Sequence, residues 1–309
     1  MKKFLSNIFI FSILAITVIA GIEYLLYMLP SELKYKREYL ENHGNNIKTL
    51  VMGHSHTAMA IKPGLLGDSS FNVASQGRSI YYDKEILKRH LDDMPNLKYI
   101  IFPIGYNFFY KNSVPSDNNE PFLDDYATKL HKYWGIPPEN TASYKYISEI
   151  RWHNFNIVDR FIYPQSLGCE PDGFECYPLS IRPSHWRDWD INIECNYDDP
   201  KLQQNFMINL GYLKEMIDLC QSRGIKFILI STPHHELFLR KVTKRGLDSM
   251  QSIIDYVQSS YDIPYLNYMS DKRFTDDDFF NPSHLSDQGA TKFTPILRDD
   301  IRRVIPDFK

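Results

Sequence analysis

Short apolar runs alternate with longer amphipathic segments through most of the chain. A short apolar run between polar positions is typical of a strand buried on both faces, and apolar residues repeated every three or four positions predict a helix. The predicted strands are Thr49–Met52, Ser70–Ala74, Tyr99–Ile104, Ile225–Ser231 and Pro264–Tyr268, and the predicted helices are Ile80–Leu91, Leu202–Arg223, 244–260 and Gln288–Val304. Strands that alternate with helices predict an α/β fold, in which a mostly parallel five-stranded sheet is covered on both sides as a three-layer sandwich.

The N-terminus has a different pattern, because residues 4–29 are apolar with few polar interruptions. This length fits a transmembrane helix, which needs about 20 residues. A cleaved signal peptide is the alternative, since Val18-Ile19-Ala20 offers small residues at cleavage positions. The apolar character continues to Leu29, which favours an uncleaved anchor over residues 1–30. We expect a polar stalk at 31–46 and the main domain at 47–309.

The pattern breaks down between residues 108 and 199, a stretch rich in Pro, Asn, Asp, Tyr and Trp. We interpret it as a long irregular insertion after the third strand, where α/β enzymes place their binding loops. Its aromatic residues indicate a small additional core that holds the insertion together. A platform for sugar rings is the alternative. The tryptophans concerned are Trp134, Trp152, Trp186 and Trp189.

Composition adds two restrictions. The chain has 309 residues, 43% of them hydrophobic, which is enough for one large core. Its net charge of -3 and dispersed basic residues give no reason to expect a nucleic-acid partner.

Cys169 and Cys176 are close enough in sequence for a disulfide, whereas Cys220 follows a helical apolar pattern and is predicted to be a core thiol. Cys195 is either its partner or a second thiol.

Four separate segments contain residues suited to serine-based acyl chemistry. They are Gly53-His54-Ser55-His56, Ala74-Ser75-Gln76-Gly77, Ile104-Gly105-Tyr106-Asn107 and Asn281-Pro282-Ser283-His284-Leu285. Three of them lie at the ends of predicted strands and the fourth precedes the last helix. The carboxyl ends of parallel strands meet at one edge of a sheet, so these segments are expected to converge there.

Each of the four segments supplies a residue with one role in acyl chemistry. Ser55 is the candidate nucleophile, which needs a base to take its proton; a helix N-cap is the alternative role. Gly77 and Asn107 are candidate oxyanion donors together with the Ser55 backbone N–H. His284 is the candidate base, and Asn281 or one of Asp276 to Asp278 is the candidate group that orients its ring.

These four segments resemble the blocks of the SGNH branch of the GDSL-type serine hydrolases, over residues 48–107 and 225–305. Two positions depart from the family pattern: His54 replaces the usual aspartate of Gly-Asp-Ser, and Asn281 stands where aspartate is common before the histidine. The resemblance implies a flavodoxin-like sandwich and no cofactor.

The membrane helix extends the resemblance to extracytoplasmic acyl-handling proteins of teichoic acid D-alanylation and alginate O-acetylation. It implies a serine-dependent esterase or O-acyltransferase that acts on acyl esters of a cell-surface glycan, with a membrane-bound acyltransferase as a further partner. Basic residues on the two sides of the apolar segment are nearly balanced, so placing the domain outside the cytoplasm rests partly on this resemblance.

The remaining histidines leave alternatives open. His234 and His56 are candidate substrate-binding residues, and His234 lies in a segment similar to a Pro-containing loop of anchored relatives. A metal site formed by His54, His56, His234 and His235 is less favoured, because the segments lack the carboxylates or His-x-x-x-His spacing of dedicated sites. A catalytically silent domain that binds a glycan or an acyltransferase is the rival function, and Asn281 favours it.

Overall fold

Five short parallel strands form the centre of the molecule. The structure is a computed structural model that describes residues 2–110, 129–137, 166–189 and 193–308. The strands are β1 Thr49–Val51, β2 Ser70–Asn72, β3 Tyr99–Pro103, β4 Lys226–Ser231 and β5 Tyr265–Asn267. Their order is β2-β1-β3-β4-β5 and every pairing is parallel. The predicted α/β fold with a five-stranded parallel sheet is therefore confirmed.

Helices connect the strands and a two-stranded hairpin precedes the last helix. The helices are α1 Lys2–Tyr27, α2 Glu32–His43, α3 Ser55–Ala58, α4 Pro63–Leu66, α5 Ile80–His90, α6 Pro200–Ser222, α7 Glu236–Leu239, α8 Lys244–Tyr261 and α9 Asp287–Val304. The antiparallel hairpin consists of β6 Phe279–Asn281 and β7 His284–Leu285. The four predicted long helices agree with α5, α6, α8 and α9 to within two residues at each end.

Each face of the sheet has its own apolar core, because neighbouring residues of a strand point to opposite faces. In β1, Leu50 packs with α5, α6 and α8 on one face, and Val51 packs with α9 on the other. Ile100 and Ile101 of β3 divide in the same way. This two-sided burial explains the continuous apolar runs of the strands.

The N-terminal helix α1 is long and apolar enough to cross a membrane, with a mean hydropathy of 2.3 over its most apolar window. Most of its side chains are exposed to the surroundings of the protein. Its last turn belongs to the domain, since Leu26 is buried and Tyr27 stacks on Tyr133 with ring centroids 5.6 Å apart.

The segment expected to be a polar stalk folds as α2 and packs against the main domain. Leu33, Lys36 and Leu40 are buried along one side of this helix. Leu33 and Leu40 belong to the same core as the strands. Residues spaced by three and four positions lie on one helical face, so α2 is amphipathic and extends the domain toward the N-terminus.

The described part of the insertion favours the core role for its tryptophans over the sugar platform. Trp134 and Trp186 are buried, whereas Trp189 is 43% exposed. Trp152 lies outside the described residues.

All four cysteines are free thiols, and the disulfide suggested for Cys169 and Cys176 is not formed. Cys220 is a buried core thiol, as predicted.

Candidate active site

The end of β1 and the C-terminal hairpin bring Ser55 and His284 together. The chain leaves β1 through Gly53, whose φ of +109° is a conformation that glycine adopts readily, and Ser55 is the first residue of α3. His284 begins β7. Ser55 Oγ and His284 Nε2 are 2.8 Å apart, across 229 positions of sequence. This is the distance at which an imidazole accepts the proton of a serine hydroxyl.

Asn281 lies on the other side of the imidazole. Its Oδ1 atom is 3.0 Å from His284 Nδ1, and it also accepts hydrogen bonds from the His284 and Ser283 backbone N–H groups. Asn281 is buried and ends β6. Ser283 Oγ donates to the same Oδ1 atom and lies 2.9 Å from Nδ1. With Nδ1–H donating to Asn281 and Ser283, Nε2 carries the lone pair that faces Ser55. Asn281 therefore orients the ring but contributes no charge to it.

The three aspartates proposed as alternatives to Asn281 have other partners. Asp276 Oδ1 is 2.9 Å from His235 Nε2, and this hydrogen bond lowers the pKa of the Asp276 carboxyl. Asp277 faces Arg182. Asp278 accepts from the Thr275 backbone N–H at 2.7 Å and from Lys292 at 2.8 Å. These contacts build the turn before the hairpin.

The segment that carries Gly77, residues 74–77, runs beside the segment that carries Ser55, residues 53–56, at the same edge of the sheet. The Ser75 backbone N–H donates to the Gly53 carbonyl at 3.2 Å. Gly77, two residues further on, is exposed and has a φ of +70°. The Ser55 backbone N–H has no partner within its helix, because it lies in the first turn. Gly77 and Ser55 therefore contribute two backbone N–H groups to this edge.

Asn107, at the end of the segment 104–107, forms hydrogen bonds with the insertion. Its φ of +58° is a left-handed conformation, which asparagine tolerates better than most residues. Its Nδ2 donates to the Ile193 carbonyl at 2.8 Å, and Tyr197 donates its hydroxyl to Oδ1. One N–H of the amide is thus bound to the insertion. The oxyanion role predicted for Asn107 would use the second.

Four histidines form a continuous group around the Ser55–His284 pair. The His56 ring is 5.0 Å from His284, 4.8 Å from His234 and 4.7 Å from His54 between centroids. Both predicted substrate-binding residues, His56 and His234, therefore lie next to the candidate base. His54 caps α3 by accepting from the His56 backbone N–H, and its ring packs on Phe108.

His234 is a neutral histidine inside this group. Burial, followed by the nearby His284, lowers the pKa of His234 to about 3. Its ring stacks on Phe238, with centroids 4.3 Å apart. Its Nδ1 atom is buried without a hydrogen-bond partner among the residues that the structure describes. A buried nitrogen without a partner costs free energy.

A buried polar network, which no sequence pattern indicated, lies behind the segment 74–77. Lys36 of α2 and Glu175 of the insertion form an ion pair of 3.0 Å with both side chains fully buried. Glu175 also accepts from Gln76 at 3.1 Å. Glu32 of α2 accepts from the Ser75 hydroxyl at 3.0 Å. This network attaches α2 and the insertion to the turn that carries Gly77.

Glu32 is the titrating member of this network. Burial raises the pKa of the Glu32 carboxyl to about 7, and the Glu175 carboxylate adds to this shift, whereas Lys36 opposes it. The spacing of Leu33 and Leu40 was a sequence signal for an amphipathic α2. No pattern indicated that Lys36 would lie between them on the buried face, opposite a glutamate 139 positions away.

One group of described residues has the composition of a metal site. Single ligand atoms of Glu170, Cys176 and Asp287 lie within 4.8 Å of one another. The Lys62 ammonium pairs with Asp287 and supplies positive charge at the same place. Burial raises the pKa of the Cys176 thiol to about 11. The Lys62 charge offsets that of Asp287 in this group.

Comparisons with known proteins find structural similarity and little sequence similarity. A GDSL-like lipase from Bacteroides thetaiotaomicron VPI-5482 aligns with 89% of this chain and 98% of its own, at 10% identity and a TM-score of 0.42. A candidate acylhydrolase from Bacteroides fragilis NCTC 9343 aligns with 92% of this chain and 93% of its own, at 11% identity and a TM-score of 0.39.

Sequence comparisons add a partial match. A protein-family model matches residues 201–306, less than half of the chain, and supplies no description of an activity. No curated protein matches the chain. Similarity at this level does not say which reaction the chain performs, so the function is argued from the geometry of the site.

Proposed function

We propose that the chain is a serine-dependent esterase or O-acyltransferase that acts on acyl esters of a cell-surface glycan, acetyl being the expected group. The contact that supports this proposal is the 2.8 Å hydrogen bond between Ser55 Oγ and His284 Nε2. A buried amide on Nδ1 and two backbone N–H groups at the same sheet edge complete the set of groups that acyl transfer requires.

The proposed reaction has two steps. In the first, Ser55 Oγ attacks the acyl carbonyl carbon while His284 Nε2 takes the hydroxyl proton. The N–H groups of Ser55 and Gly77, with the Asn107 amide, stabilise the oxyanion, and His284 returns the proton to the leaving alcohol. In the second step His284 takes a proton from water or from a sugar hydroxyl, which attacks the acyl-serine, and returns that proton to Ser55 Oγ as the bond between the acyl carbon and Oγ breaks. Water gives hydrolysis and the sugar hydroxyl gives transfer.

The location and partners are part of the same proposal. The N-terminal helix α1 would anchor the protein as a single membrane span, with the catalytic domain outside the cytoplasm. The substrate would be a glycan or an acyl ester at the cell surface, and a membrane-bound acyltransferase would be a further partner. His56 and His234 would contact the substrate, because the His56 ring adjoins His284 and the His234 ring adjoins His56.

The test is hydrolysis of p-nitrophenyl acetate by the full-length protein in detergent. We expect release of p-nitrophenol by the wild type and its loss in Ser55→Ala. Ser259→Ala is the matched control, since Ser259 lies in α8, exposed and outside the candidate site. Equal rates in the wild type and Ser55→Ala would contradict the enzymatic proposal. Acyl transfer to a sugar acceptor, measured by mass spectrometry, separates a transferase from a hydrolase.

The alternative function is a catalytically silent domain that binds a glycan or a membrane acyltransferase. Asn281 favours it, because a neutral amide cannot stabilise a protonated imidazole as a carboxylate does. Binding of an acetylated polysaccharide by both the wild type and Ser55→Ala, without Ser55-dependent turnover, would support this alternative.

A further inference from the structure

A buried ion pair lies directly behind the candidate nucleophile. Arg78 follows Gly77, and Asp83 lies in the first turn of α5. Arg78 Nε and Asp83 Oδ1 are 2.9 Å apart, and both side chains are fully buried. Neither Nη1 nor Nη2 of Arg78 has a hydrogen-bond partner among the described residues. Removing two charges from water is costly, and an ion pair of this kind is weak evidence for a role in stability alone.

Asp83 makes a second contact, and this contact reaches the candidate site. Its Oδ1 atom accepts from the Gly53 backbone N–H at 3.1 Å. Gly53 lies two residues before Ser55. A Cβ atom at Gly53 would lie 2.4 Å from the ring of Pro103, so the backbone passes β3 with no room to shift in that direction.

The other polar group of Gly53 is bound to the same segment of chain. The Gly53 carbonyl accepts from the Ser75 backbone N–H at 3.2 Å. Ser75 precedes Gly77 by two residues, and Arg78 follows it. Both sides of the Gly53 peptide are therefore attached to residues 75–83, the segment that carries the candidate oxyanion donor.

We propose that Arg78 and Asp83 are positioning residues that fix the separation between Ser55 and the Gly77 N–H. The proposal rests on the proposed function of Ser55 as a nucleophile. An oxyanion donor acts only when it is placed where the negative charge develops, and a displacement of about 1 Å costs about 10²-fold in rate.

Each member of the pair has a distinct part in this arrangement. Asp83 binds the Gly53 N–H directly. Arg78 holds the same Oδ1 atom in place from the other side. Burial raises the pKa of the Asp83 carboxyl, and the guanidinium opposes this shift. Neither residue is expected to touch the substrate, so their loss should change kcat and leave KM nearly unchanged.

The test compares two variants with a control in the full-length protein. Arg78→Met/Asp83→Leu replaces both charges by apolar groups, a change that buried ion pairs often tolerate, and removes the acceptor for Gly53. Arg78→Lys keeps the charge next to Asp83. Leu87→Ala is the control, since Leu87 is a buried residue of the same helix and its truncation destabilises α5 without touching the pair.

With p-nitrophenyl acetate we expect kcat of the double variant to fall about 10²-fold, with KM within about threefold of the wild type. Arg78→Lys should recover kcat to within about tenfold of the wild type, and Leu87→Ala should keep the wild-type kcat. Should the double variant fail to fold, Arg78→Met/Asp83→Ala, which also removes the acceptor for Gly53, takes its place with the same expected split between kcat and KM. An active wild type with equal kcat in Leu87→Ala and the double variant would overturn the proposal and leave the proposed function intact.

Hydrogen exchange gives a readout that does not need activity. The Gly53 amide should exchange at least tenfold faster in the double variant than in Leu87→Ala, because it loses its acceptor. Equal protection in both variants would overturn the proposal even if the wild type proved inactive, whereas an inactive wild type with faster exchange would count against the proposed function alone.

Discussion

At the level of single residues, Asn281 sets how strong a base His284 can be. It occupies the place beside Nδ1 where an aspartate would stabilise the charged ring. The amide accepts from the imidazole at 3.0 Å and also binds two backbone N–H groups of the following turn. It therefore fixes the ring and the turn together, without the electrostatic contribution of a carboxylate.

Substitutions at Asn281 separate orientation from charge. Asn281→Asp keeps an acceptor at the same position and adds a negative charge, so we expect kcat for p-nitrophenyl acetate to rise up to about tenfold. Asn281→Ala removes the acceptor, and we expect kcat to fall about 10²-fold, less than the roughly 10⁴-fold loss when a triad aspartate is made neutral. Unchanged kcat in Asn281→Ala would show that the ring is oriented by another group.

At the level of secondary-structure elements, α2 connects the N-terminal apolar helix α1 to the candidate site. Its buried face places Lys36 on Glu175 and on the Ala74 carbonyl. Glu32 on the same helix binds the Ser75 hydroxyl. This helix therefore supports the turn before Gly77 through two polar contacts, from Lys36 to the Ala74 carbonyl and from Glu32 to the Ser75 hydroxyl.

The raised pKa of Glu32 predicts a pH dependence of stability. The folded chain keeps Glu32 protonated up to about pH 7, whereas the ordinary pKa of the group is 4.5. The unfolded chain therefore loses this proton first, and stability falls as the pH rises from about 4.5 to about 7. Glu32→Gln cannot ionise and removes this loss.

Urea unfolding between pH 4 and pH 8 measures this effect. We expect Glu32→Gln to gain stability relative to the wild type across that interval, by a value on the order of 1 kcal/mol or more at the upper end. Glu38→Gln, a change at a side chain of α2 that is 43% exposed, should follow the wild type. A constant difference between Glu32→Gln and the wild type would contradict the pKa assigned to Glu32.

The sequence predicted those parts of the fold and site that depend on local patterns. Continuous apolar runs such as Tyr99–Ile104 marked the strands, since Ile100 and Ile101 are buried on opposite faces. Strand ends marked the positions of Ser55, Gly77 and Asn107. His284 was placed by the block around it.

Contacts between buried charged residues were not predictable in the same way. Lys36 and Arg78 look like surface residues in sequence, because charged side chains are almost never fully buried unless paired. Their partners Glu175 and Asp83 become visible only when the chain is folded. A polar stalk was expected at 31–46 because most residues of α2 are charged or polar. Only two leucines of this helix mark its buried face.

At the level of the whole molecule, the domain begins inside the apolar helix. Leu26 is buried and Tyr27 stacks on Tyr133, so the last turn of α1 is part of the folded domain. The ammonium groups of Lys34 and Lys132 lie 5.1 Å and 5.3 Å from the Tyr27 ring centroid. Helix α1 and the domain are therefore joined by the side chains that pack on Tyr27.

Two truncations test where the domain begins. A chain lacking residues 1–22 keeps Leu26 and Tyr27, whereas one lacking residues 1–30 loses both. Burying a leucine contributes about 1.5–3 kcal/mol, which corresponds to a melting temperature lower by roughly 3–10 °C in the shorter chain. Equal melting temperatures by differential scanning calorimetry would contradict the contribution of this last turn.

The most direct test of the account asks whether Ser55 is a nucleophile activated by His284. The full-length protein is treated with a fluorophosphonate probe, and the labelled residue is identified by peptide mass spectrometry. We expect labelling at Ser55 in the wild type, none in Ser55→Ala, and labelling at least about 10²-fold slower in His284→Ala, because the hydroxyl then has no base. An unlabelled Ser55 in the folded wild type, or equal labelling rates with and without the His284 imidazole, would contradict the account.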